Sequence, residues 1–331
     1  MKTTACLSAL LLLSALALAA PPPAGAAPLP QARRNASQEA GMKLKAGVTD
    51  LHADLVYKKV GDDDITLDLF LPKTKTGKDG KALFPNGTPV VFYLHGGAWS
   101  AGNRYGHSLS DVQFFSDNGL ALVLVTYRFT KKGNGLTLAD CVTDCFDAAR
   151  FIAKNAAQYG LDPTRFLAHG SSAGGHLSLM VLLADPAQFP GDSGLAGATF
   201  RFIGAVAACP PCTFYSPEAW GKNEVRQTEQ WFVERLGGLR SETRELAQKV
   251  SPLWWLKKDS PRALIIQGEA DPKVNVGHAL LMEKKARELG ADLTVWRIPG
   301  ANHSFKGNRS PMKNIRWQDL ACPNLLDMAR N

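Results

Sequence analysis

Short, continuous apolar runs recur along the chain, separated by longer stretches in which apolar positions repeat every three to four residues. Continuous apolar runs are typical of parallel strands, which are buried on both faces, and the longer repeat is typical of helices packed on a sheet. The runs occupy residues 90–94, 120–126, 166–168, 202–208, 263–267 and 293–298. Their alternation with helical patterns predicts the α/β fold class, with a mostly parallel central sheet flanked by helices.

Two segments extend the predicted sheet at its amino-terminal edge. Residues 55–57 and the alternating residues 65–71 predict an antiparallel pair around a turn at residues 61–63. Helical patterns predict helices at residues 108–118, 137–159, 277–289 and 316–329.

The alternation of strands and helices breaks between residues 209 and 258. An insertion after a strand of an α/β sheet lies over the carboxyl ends of the strands, so we expect a small lid-like insertion here. The tryptophans that could form a substrate wall are Trp99, Trp220, Trp231, Trp254 and Trp255. Packing of the insertion onto the core is an equally weighted alternative for these side chains.

The amino terminus has the features of a secretory signal. Lys2 precedes an apolar run at residues 7–19 that is too short to span a bilayer, and small residues suited to a signal peptidase follow it. A buried amino-terminal helix is the alternative. The predicted location is therefore secreted or periplasmic. The expected boundaries are a signal peptide and the start of a linker at 1–26, a linker at 27–46 and the α/β domain at 47–331.

Composition favours one α/β domain over two, and the charge pattern argues against a nucleic-acid role. The chain has 331 residues, of which 45% are hydrophobic, which is enough to bury a sizeable core. The formal net charge is +8, but the basic residues are scattered and no nucleic-acid motif accompanies them. We therefore predict no nucleic-acid partner and no membrane span. Attraction to an acidic polysaccharide or an anionic surface stays open beside a merely solvated basic surface.

The cysteine count leaves the disulfide pattern open. The cysteines after the predicted signal are Cys141, Cys145, Cys209, Cys212 and Cys322. An odd number implies at least one free thiol or an intermolecular bond, although an oxidising compartment permits disulfides. Two prolines separate Cys209 from Cys212, unlike a helix-opening redox pair. No second pair of thiols or histidines is spaced for zinc, so the sequence predicts no metal site.

Ser172 is the candidate nucleophile. Residues 170–175 (GSSAGG) stand between an apolar strand and a helical segment. A serine at a sharp strand-to-helix turn exposes its hydroxyl, and its neighbours must be almost free of side chains. Ser171 is the alternative, but that register loses both flanking glycines.

A serine nucleophile requires a histidine base, an acid that orients the base and donors for an oxyanion. Asp271 and His303 each follow an apolar strand, which gives the chain order serine, acid, histidine. Glu269 is the alternative acid. Upstream, residues 95–99 (HGGAW) form a loop whose small side chains expose backbone N–H groups. All these pieces fall at the carboxyl ends of predicted parallel strands, where the sites of open α/β sheets lie.

The segment from about residue 90 to 303 resembles the α/β-hydrolase superfamily. Within it, the chain is similar to secreted carboxylesterases of the hormone-sensitive-lipase-like and bifunctional feruloyl/acetyl-xylan esterase families. The resemblance is carried by HGGAW at residues 95–99, by Tyr127 and Arg128, by NAAQYGLDP at residues 155–163, by the serine turn and by the acid and histidine loops. The chain departs from the pattern at Ala98, where a third glycine is usual, and at Asn302, where relatives often carry glycine.

The resemblance implies the α/β-hydrolase fold and a catalytic triad. Ser172 attacks an ester carbonyl, His303 transfers the proton and Asp271 orients the imidazole. The backbone N–H groups expected to hold the oxyanion are those of Gly97, Ala98 and Ala173. The loop is expected to be supported by His95 and shaped by Gly96.

These observations predict a secreted serine carboxylesterase that forms an acyl-enzyme intermediate. The expected substrate is a small ester or an acylated saccharide, with acylated plant polysaccharide as the favoured class. A serine peptidase on the same fold and a catalytically silent binding protein are the alternatives. This chemistry needs no cofactor, and the sequence predicts neither the acyl group nor the oligomeric state.

Overall fold

Eight strands form one sheet within the part of the chain that the computed structural model describes, residues 34–221, 225–307, 310–312 and 315–331. In chain order the strands are β1 (Thr49–Val60), β2 (Asp63–Pro72), β3 (Thr88–Leu94), β4 (Ala121–Val125), β5 (Leu161–Ser171), β6 (Phe202–Ala208), β7 (Arg262–Gly268) and β8 (Leu293–Ile298). Each apolar run of the sequence lies within or overlaps one of these strands, so the predicted strands are confirmed.

The sheet has the order β1-β2-β4-β3-β5-β6-β7-β8. β1 pairs antiparallel with β2, β2 pairs antiparallel with β4, and every later pair is parallel. Phe92 of β3 lies opposite Val123 of β4 on one side and Ala168 of β5 on the other. The predicted α/β architecture with an antiparallel edge is therefore confirmed.

Helices cover both faces of the sheet. They are α1 (Ala36–Val48), α2 (Leu109–Asp117), α3 (Leu138–Lys154), α4 (Ala156–Tyr159), α5 (Ala173–Leu183), α6 (Glu229–Leu236), α7 (Arg244–Lys249), α8 (Pro252–Trp255), α9 (Gly277–Leu289) and α10 (Trp317–Arg330). Alternate residues of β3 enter opposite cores: Phe92 packs with the side that includes α3 and α5, whereas Val91 and Tyr93 pack with the side that includes α2 and α10. Burial on both faces explains the continuous apolar runs.

Two predicted boundaries differ in the structure. The helix expected at residues 137–159 is divided at Asn155, whose φ of −100° and ψ of 7° are not helical and whose side-chain amide donates to the Phe151 carbonyl at 2.8 Å. Residues 36–46, expected as a linker, belong to α1. Asn35 caps this helix. Met42 is its buried apolar residue and belongs to the same core cluster as Phe115. With little other apolar surface, α1 leaves a weak periodic signal in the sequence.

The predicted signal peptide at residues 1–26 lies outside the described residues. Within the described ranges, no helix is both long and apolar enough to cross a membrane.

The segment between β6 and β7 carries α6, α7 and α8 and packs against the sheet's carboxyl edge through a buried histidine. His176 of α5 donates through Nε2 to the Val250 carbonyl at 2.7 Å, and its Nδ1 accepts from the Trp99 indole at 3.1 Å. The Trp99 ring in turn packs edge-on against Trp231 of α6. One imidazole thus joins the helix after β5, the loop after β3 and the inserted segment.

Protonation of His176 should make the fold sensitive to mild acid. Burial lowers the pKa of His176 to about 4, outweighing the hydrogen bond to Val250, which favours the charged form. In the unfolded chain the pKa of histidine is about 6.5. The neutral imidazole therefore contributes stability above about pH 6.5 that is lost as the pH falls toward 4. Urea unfolding from pH 7 to pH 4 should show a smaller loss of stability in His176→Gln than in the wild type.

The matched control is His52→Gln, which replaces a partly exposed histidine of β1. Its unfolding free energy is measured over the same pH range, so that the removal of a histidine in itself is accounted for. Equal losses of stability in His176→Gln and the wild type would contradict the assignment.

Candidate active site

The turn between β5 and α5 holds Ser172 in a left-handed backbone conformation. Its φ is 58° and its ψ is −121°, although it is not glycine. The turn is this tight because the next strand is very close: a Cβ on Gly174 would lie 1.9 Å from the Leu94 carbonyl oxygen, and one on Gly170 would lie 2.2 Å from it. The flanking positions therefore accept only glycine, and the serine between them is lifted from the end of the sheet into a cavity of about 290 Å³.

An aspartate and a histidine meet at the carboxyl ends of β7 and β8, the same end of the sheet as this turn. Asp271 lies in the loop after β7 and His303 in the loop after β8, and the distance from Asp271 Oδ2 to His303 Nδ1 is 2.7 Å. The other carboxylate oxygen accepts the backbone N–H groups of Lys273 and Val274 at 2.8 and 3.0 Å. Burial alone would raise the pKa of Asp271, but the hydrogen bonds from His303 and these backbone groups outweigh it and lower the pKa below its usual value. The ionised carboxylate fixes the proton of His303 on Nδ1 and leaves Nε2 as an acceptor.

Backbone hydrogen bonds join the acid loop to the histidine loop. The N–H of Ala270 donates to the Ala301 carbonyl at 2.9 Å. The Asn302 side chain accepts from the N–H groups of Ser304 and Lys306 and so closes the turn that presents His303. Glu269, the alternative acid, points elsewhere: its carboxylate lies 3.9 Å from the Arg297 guanidinium.

β6 separates Ser172 from the acid and histidine. The Ser172 N–H donates to the Ala208 carbonyl at 2.8 Å, and the next residue, Cys209, contacts the His303 carbonyl through its thiol at 3.8 Å. The described residues show no hydrogen bond between the Ser172 hydroxyl and His303. In enzymes without substrate such contacts are commonly long and tighten only in the Michaelis complex.

The loop after β3 presents unpaired backbone donors. Gly97 has a φ of 128°, and a Cβ there would lie 1.9 Å from the Ala101 carbonyl oxygen. Ala98 follows with a φ of 51°, so alanine is held in a conformation that glycine adopts more readily. Within the described chain, the N–H groups of Gly97, Ala98 and Ala173 donate to no protein group. Free donors at the rim of a cavity can hold a developing negative charge.

His95 and Tyr127 support this loop through a ring stack and hydrogen bonds. His95 Nδ1 donates to the Gly96 carbonyl at 2.8 Å, its ring stacks on Tyr127 with centroids 4.3 Å apart, and the Tyr127 hydroxyl donates to the His95 carbonyl at 2.7 Å. Burial lowers the pKa of His95 to about 4, so the imidazole is neutral near pH 7. These contacts agree with a supporting role for His95.

Arg235 of α6 donates hydrogen bonds to the same loop. Its Nε donates to the Ala98 carbonyl at 3.2 Å and its Nη2 to the Ser100 hydroxyl at 3.1 Å. A weaker contact of 3.5 Å joins Nη1 to the Thr130 carbonyl. No sequence motif marks Arg235, because the loop it contacts is more than 130 residues away along the chain.

The predicted tryptophan wall is only partly assembled. Trp99 and Trp231 line the cavity at Ser172. Trp220 lines a separate cavity of about 580 Å³ on the other side of α6, Trp254 is exposed, and Trp255 packs near Phe189. The rest of the cavity wall is mostly polar. Its side chains are those of Pro211, Arg226, Thr228, Gln230, Glu234 and Arg235.

All five cysteines in the described chain are free and buried. Burial and the adjacent Asp271 carboxylate raise the pKa of the Cys209 thiol well above the usual value. Cys209 is also in the left-handed region, with a φ of 45° at the carboxyl end of β6. No sequence pattern indicates this placement, because three different strands bring the groups together.

Comparisons with known proteins agree with this geometry. The model of the BD-FAE family matches residues 67–286. An ethyl acetate hydrolase of Pseudomonas putida is 27% identical over 76% of this chain and 79% of its own length. A probable isoprenylcysteine α-carbonyl methylesterase of Oryza sativa is 25% identical over 76% of this chain and 56% of its own length, so the chain spans only about half of that relative.

Among solved structures, a truncated carbohydrate esterase from gut microbiota superposes with a TM-score of 0.66 at 20% identity. The match covers 85% of this chain and 96% of that structure, and it shows the shared fold. The family model spans about two thirds of the chain, from β2 to α9, and includes the turn at Ser172 and the loop at Gly97. The chain therefore belongs to the BD-FAE family, among the esterases of the α/β-hydrolase superfamily.

Proposed function

We propose that the protein is a serine carboxylesterase whose nucleophile is Ser172, whose base is His303 and whose orienting acid is Asp271. The observation that carries the proposal is the strained Ser172 turn together with a hydrogen-bonded Asp271–His303 pair at the same end of the sheet. A serine hydroxyl needs such a base because it is a weak nucleophile at its ordinary pKa.

The reaction follows from the protons that these groups hold. The Ser172 hydroxyl attacks the ester carbonyl while its proton passes to His303 Nε2, and Asp271 stabilises the imidazolium that forms. The tetrahedral intermediate collapses when His303 returns this proton to the leaving alcohol, which leaves an acyl group on Ser172. Water then attacks the acyl-enzyme and gives a proton to His303, which returns it to the Ser172 oxygen as the carboxylic acid leaves.

The oxyanion of each tetrahedral intermediate is held by the N–H groups of Gly97, Ala98 and Ala173. These donors are pre-oriented by the backbone, and among the described residues no protein group accepts from them. Removing one donor of this kind typically lowers the rate by about 10²- to 10³-fold. Ala98 supplies the same N–H as a glycine, so its methyl group narrows the mouth of the site without removing a donor.

The cavity wall favours an acylated saccharide as substrate. A volume of about 290 Å³ suits a small acyl group, and arginine, glutamine, threonine and glutamate side chains line the rest of the wall. Polar groups of this kind can hydrogen-bond the hydroxyls of a sugar alcohol. We therefore propose acylated plant polysaccharide as the substrate class, which is consistent with the similarity to a carbohydrate esterase.

Ester hydrolysis should depend on Ser172. The purified protein should hydrolyse short-chain aryl esters and release acid from acetylated or feruloylated xylan, because the proposed site stabilises acyl transfer. Ser172→Ala should lower kcat by at least about 10⁴-fold in assays of both substrate types. A fluorophosphonate probe should label the wild type and leave Ser172→Ala unlabelled.

The matched control is Ser171→Ala, which removes the neighbouring hydroxyl and should still be labelled. A fully active Ser172→Ala variant would overturn the proposal. Faster turnover of a matched amide than of the ester would favour a serine peptidase, and a wild type that is neither active nor labelled would favour a silent binding protein.

We also propose that the protein is secreted or periplasmic. The basis is the sequence of residues 1–26, in which Lys2 precedes an apolar run and small residues. Amino-terminal sequencing of the mature protein, expressed from its full chain in a host that exports proteins, should begin after residue 19. Accumulation of the uncleaved chain inside the cell would contradict this.

Arg235 should affect the rate more than substrate binding. It positions the Ala98 carbonyl and hence the adjacent peptide of the oxyanion loop, and a displacement of about 1 Å in such a loop can cost about 10²-fold in rate. In Arg235→Gln we expect kcat to fall by roughly 10- to 100-fold with KM changed less than about 3-fold. Steady-state kinetics with a short-chain aryl ester would measure this.

Arg240→Gln is the matched control, because Arg240 packs over Trp220 and Phe232 and lines the other cavity. It should keep the wild-type kcat. A rise in KM alone in Arg235→Gln would show that this arginine contacts substrate and does not position the loop.

A further inference from the structure

Cys209, Asp271 and His303 form a compact set of potential metal ligands. The cysteine sulfur, a carboxylate oxygen and a ring nitrogen lie within 4.8 Å of one another. Within the described ranges, this is the only group of three or more histidine, cysteine and acidic side chains so arranged. The three residues follow β6, β7 and β8, so spacing along the chain does not reveal the set.

Thiolate, imidazole and carboxylate are the ligand types that zinc prefers. Zinc bonds of about 2.0 to 2.3 Å place tetrahedral ligand atoms roughly 3.3 to 3.7 Å apart. The Asp271 and His303 atoms, now 2.7 Å apart, would therefore separate by less than about 1 Å, and the sulfur would move inward by a similar amount. Movements of this size lie within the range of side-chain rotation.

The cysteine is free to serve as a ligand. Its thiol contacts the His303 carbonyl at 3.8 Å and lies against the Asp271 carboxylate, and among the described cysteines it takes part in no disulfide. His303 supplies the route from solvent, since its side chain is partly exposed while Asp271 is fully buried. Water or an added anion can complete the coordination from the solvent-exposed side of His303.

We propose that Cys209, Asp271 and His303 form an inhibitory site for a thiophilic divalent cation such as Zn²⁺. Binding of the cation does not depend on the reaction, but its inhibitory effect rests on the proposed function of Asp271 and His303. The cation would replace the hydrogen bond that fixes the imidazole and would hold Nδ1 as a ligand.

The proton balance explains the inhibition. The Cys209 thiol releases one proton to solvent as its sulfur binds the metal. The proton on His303 Nδ1 is displaced to Nε2, so the imidazole stays neutral with its lone pair on the metal. With Nε2 protonated, the ring can no longer accept the proton of the Ser172 hydroxyl. Removing the metal with a chelator restores the original tautomer.

Cadmium binding to the Ser172→Ala variant tests the site without relying on activity. Cd²⁺ should produce the ultraviolet charge-transfer absorption of a cadmium–thiolate bond in this variant. The absorption should be lost in Ser172→Ala/Cys209→Ala. It should remain in Ser172→Ala/Cys212→Ala, the matched control, because the Cys212 thiol is directed to the Pro210 carbonyl at 3.3 Å. Absorption that persists without Cys209, or that never appears, would overturn the site.

Inhibition is measured separately with Zn²⁺ and a short-chain aryl ester. The wild type should lose activity reversibly and regain it with EDTA, and the inhibition constant of Cys209→Ala should be at least about 10-fold higher. Each variant is compared with its own rate in EDTA. Equal inhibition of both proteins would overturn the inhibitory role. A wild type that is inactive in EDTA would contradict the proposed esterase function, while the cadmium measurement would still decide whether the cation binds.

Discussion

The close approach of α5 to the end of β3 is the constraint on which the site depends. The Leu94 carbonyl lies so near Gly170 and Gly174 that neither position can carry a side chain. Because the helix must start against this strand, the chain turns within one residue, and Ser172 takes a conformation that costs about 1 to 3 kcal/mol. The surrounding parallel strands hold that conformation in place. The exposed hydroxyl is thus a consequence of how tightly helix and sheet pack.

The same edge of the sheet organises the remaining groups through backbone contacts. The N–H of Ser172 is bound to the carbonyl that ends β6, and the acid loop is bound to the histidine loop through Ala270 and Ala301. Asp271 itself is held by two backbone N–H groups in addition to His303. Since these contacts use main-chain atoms, they restrict the surrounding side chains little. Relatives with about a quarter of their residues in common can therefore share the arrangement.

The sequence predicted the parts of the structure whose physical cause is local. Continuous apolar runs identified the parallel strands, and the glycines around Ser172 identified the turn. The order of the acid and histidine loops likewise follows from strands that end side by side. Helix α1 was missed because its contact with the core rests on Met42 and little other apolar surface. The sequence could not show which tryptophans of the insertion line a cavity. A tryptophan that packs on the core and one that lines a cavity are the same residue type in the same kind of segment.

Sequence patterns did not predict the contacts between segments that lie far apart along the chain. Arg235 reaches the oxyanion loop from α6, and His176 ties the inserted segment to the loop through Trp99 and Val250. These contacts make the insertion part of the support of the proposed oxyanion hole as well as a wall of the cavity. Movement of α6 away from the sheet would break the hydrogen bonds from Arg235 to Ala98 and Ser100 together. Displacement of α6 would therefore change the wall of the cavity and the orientation of the proposed oxyanion donors at once.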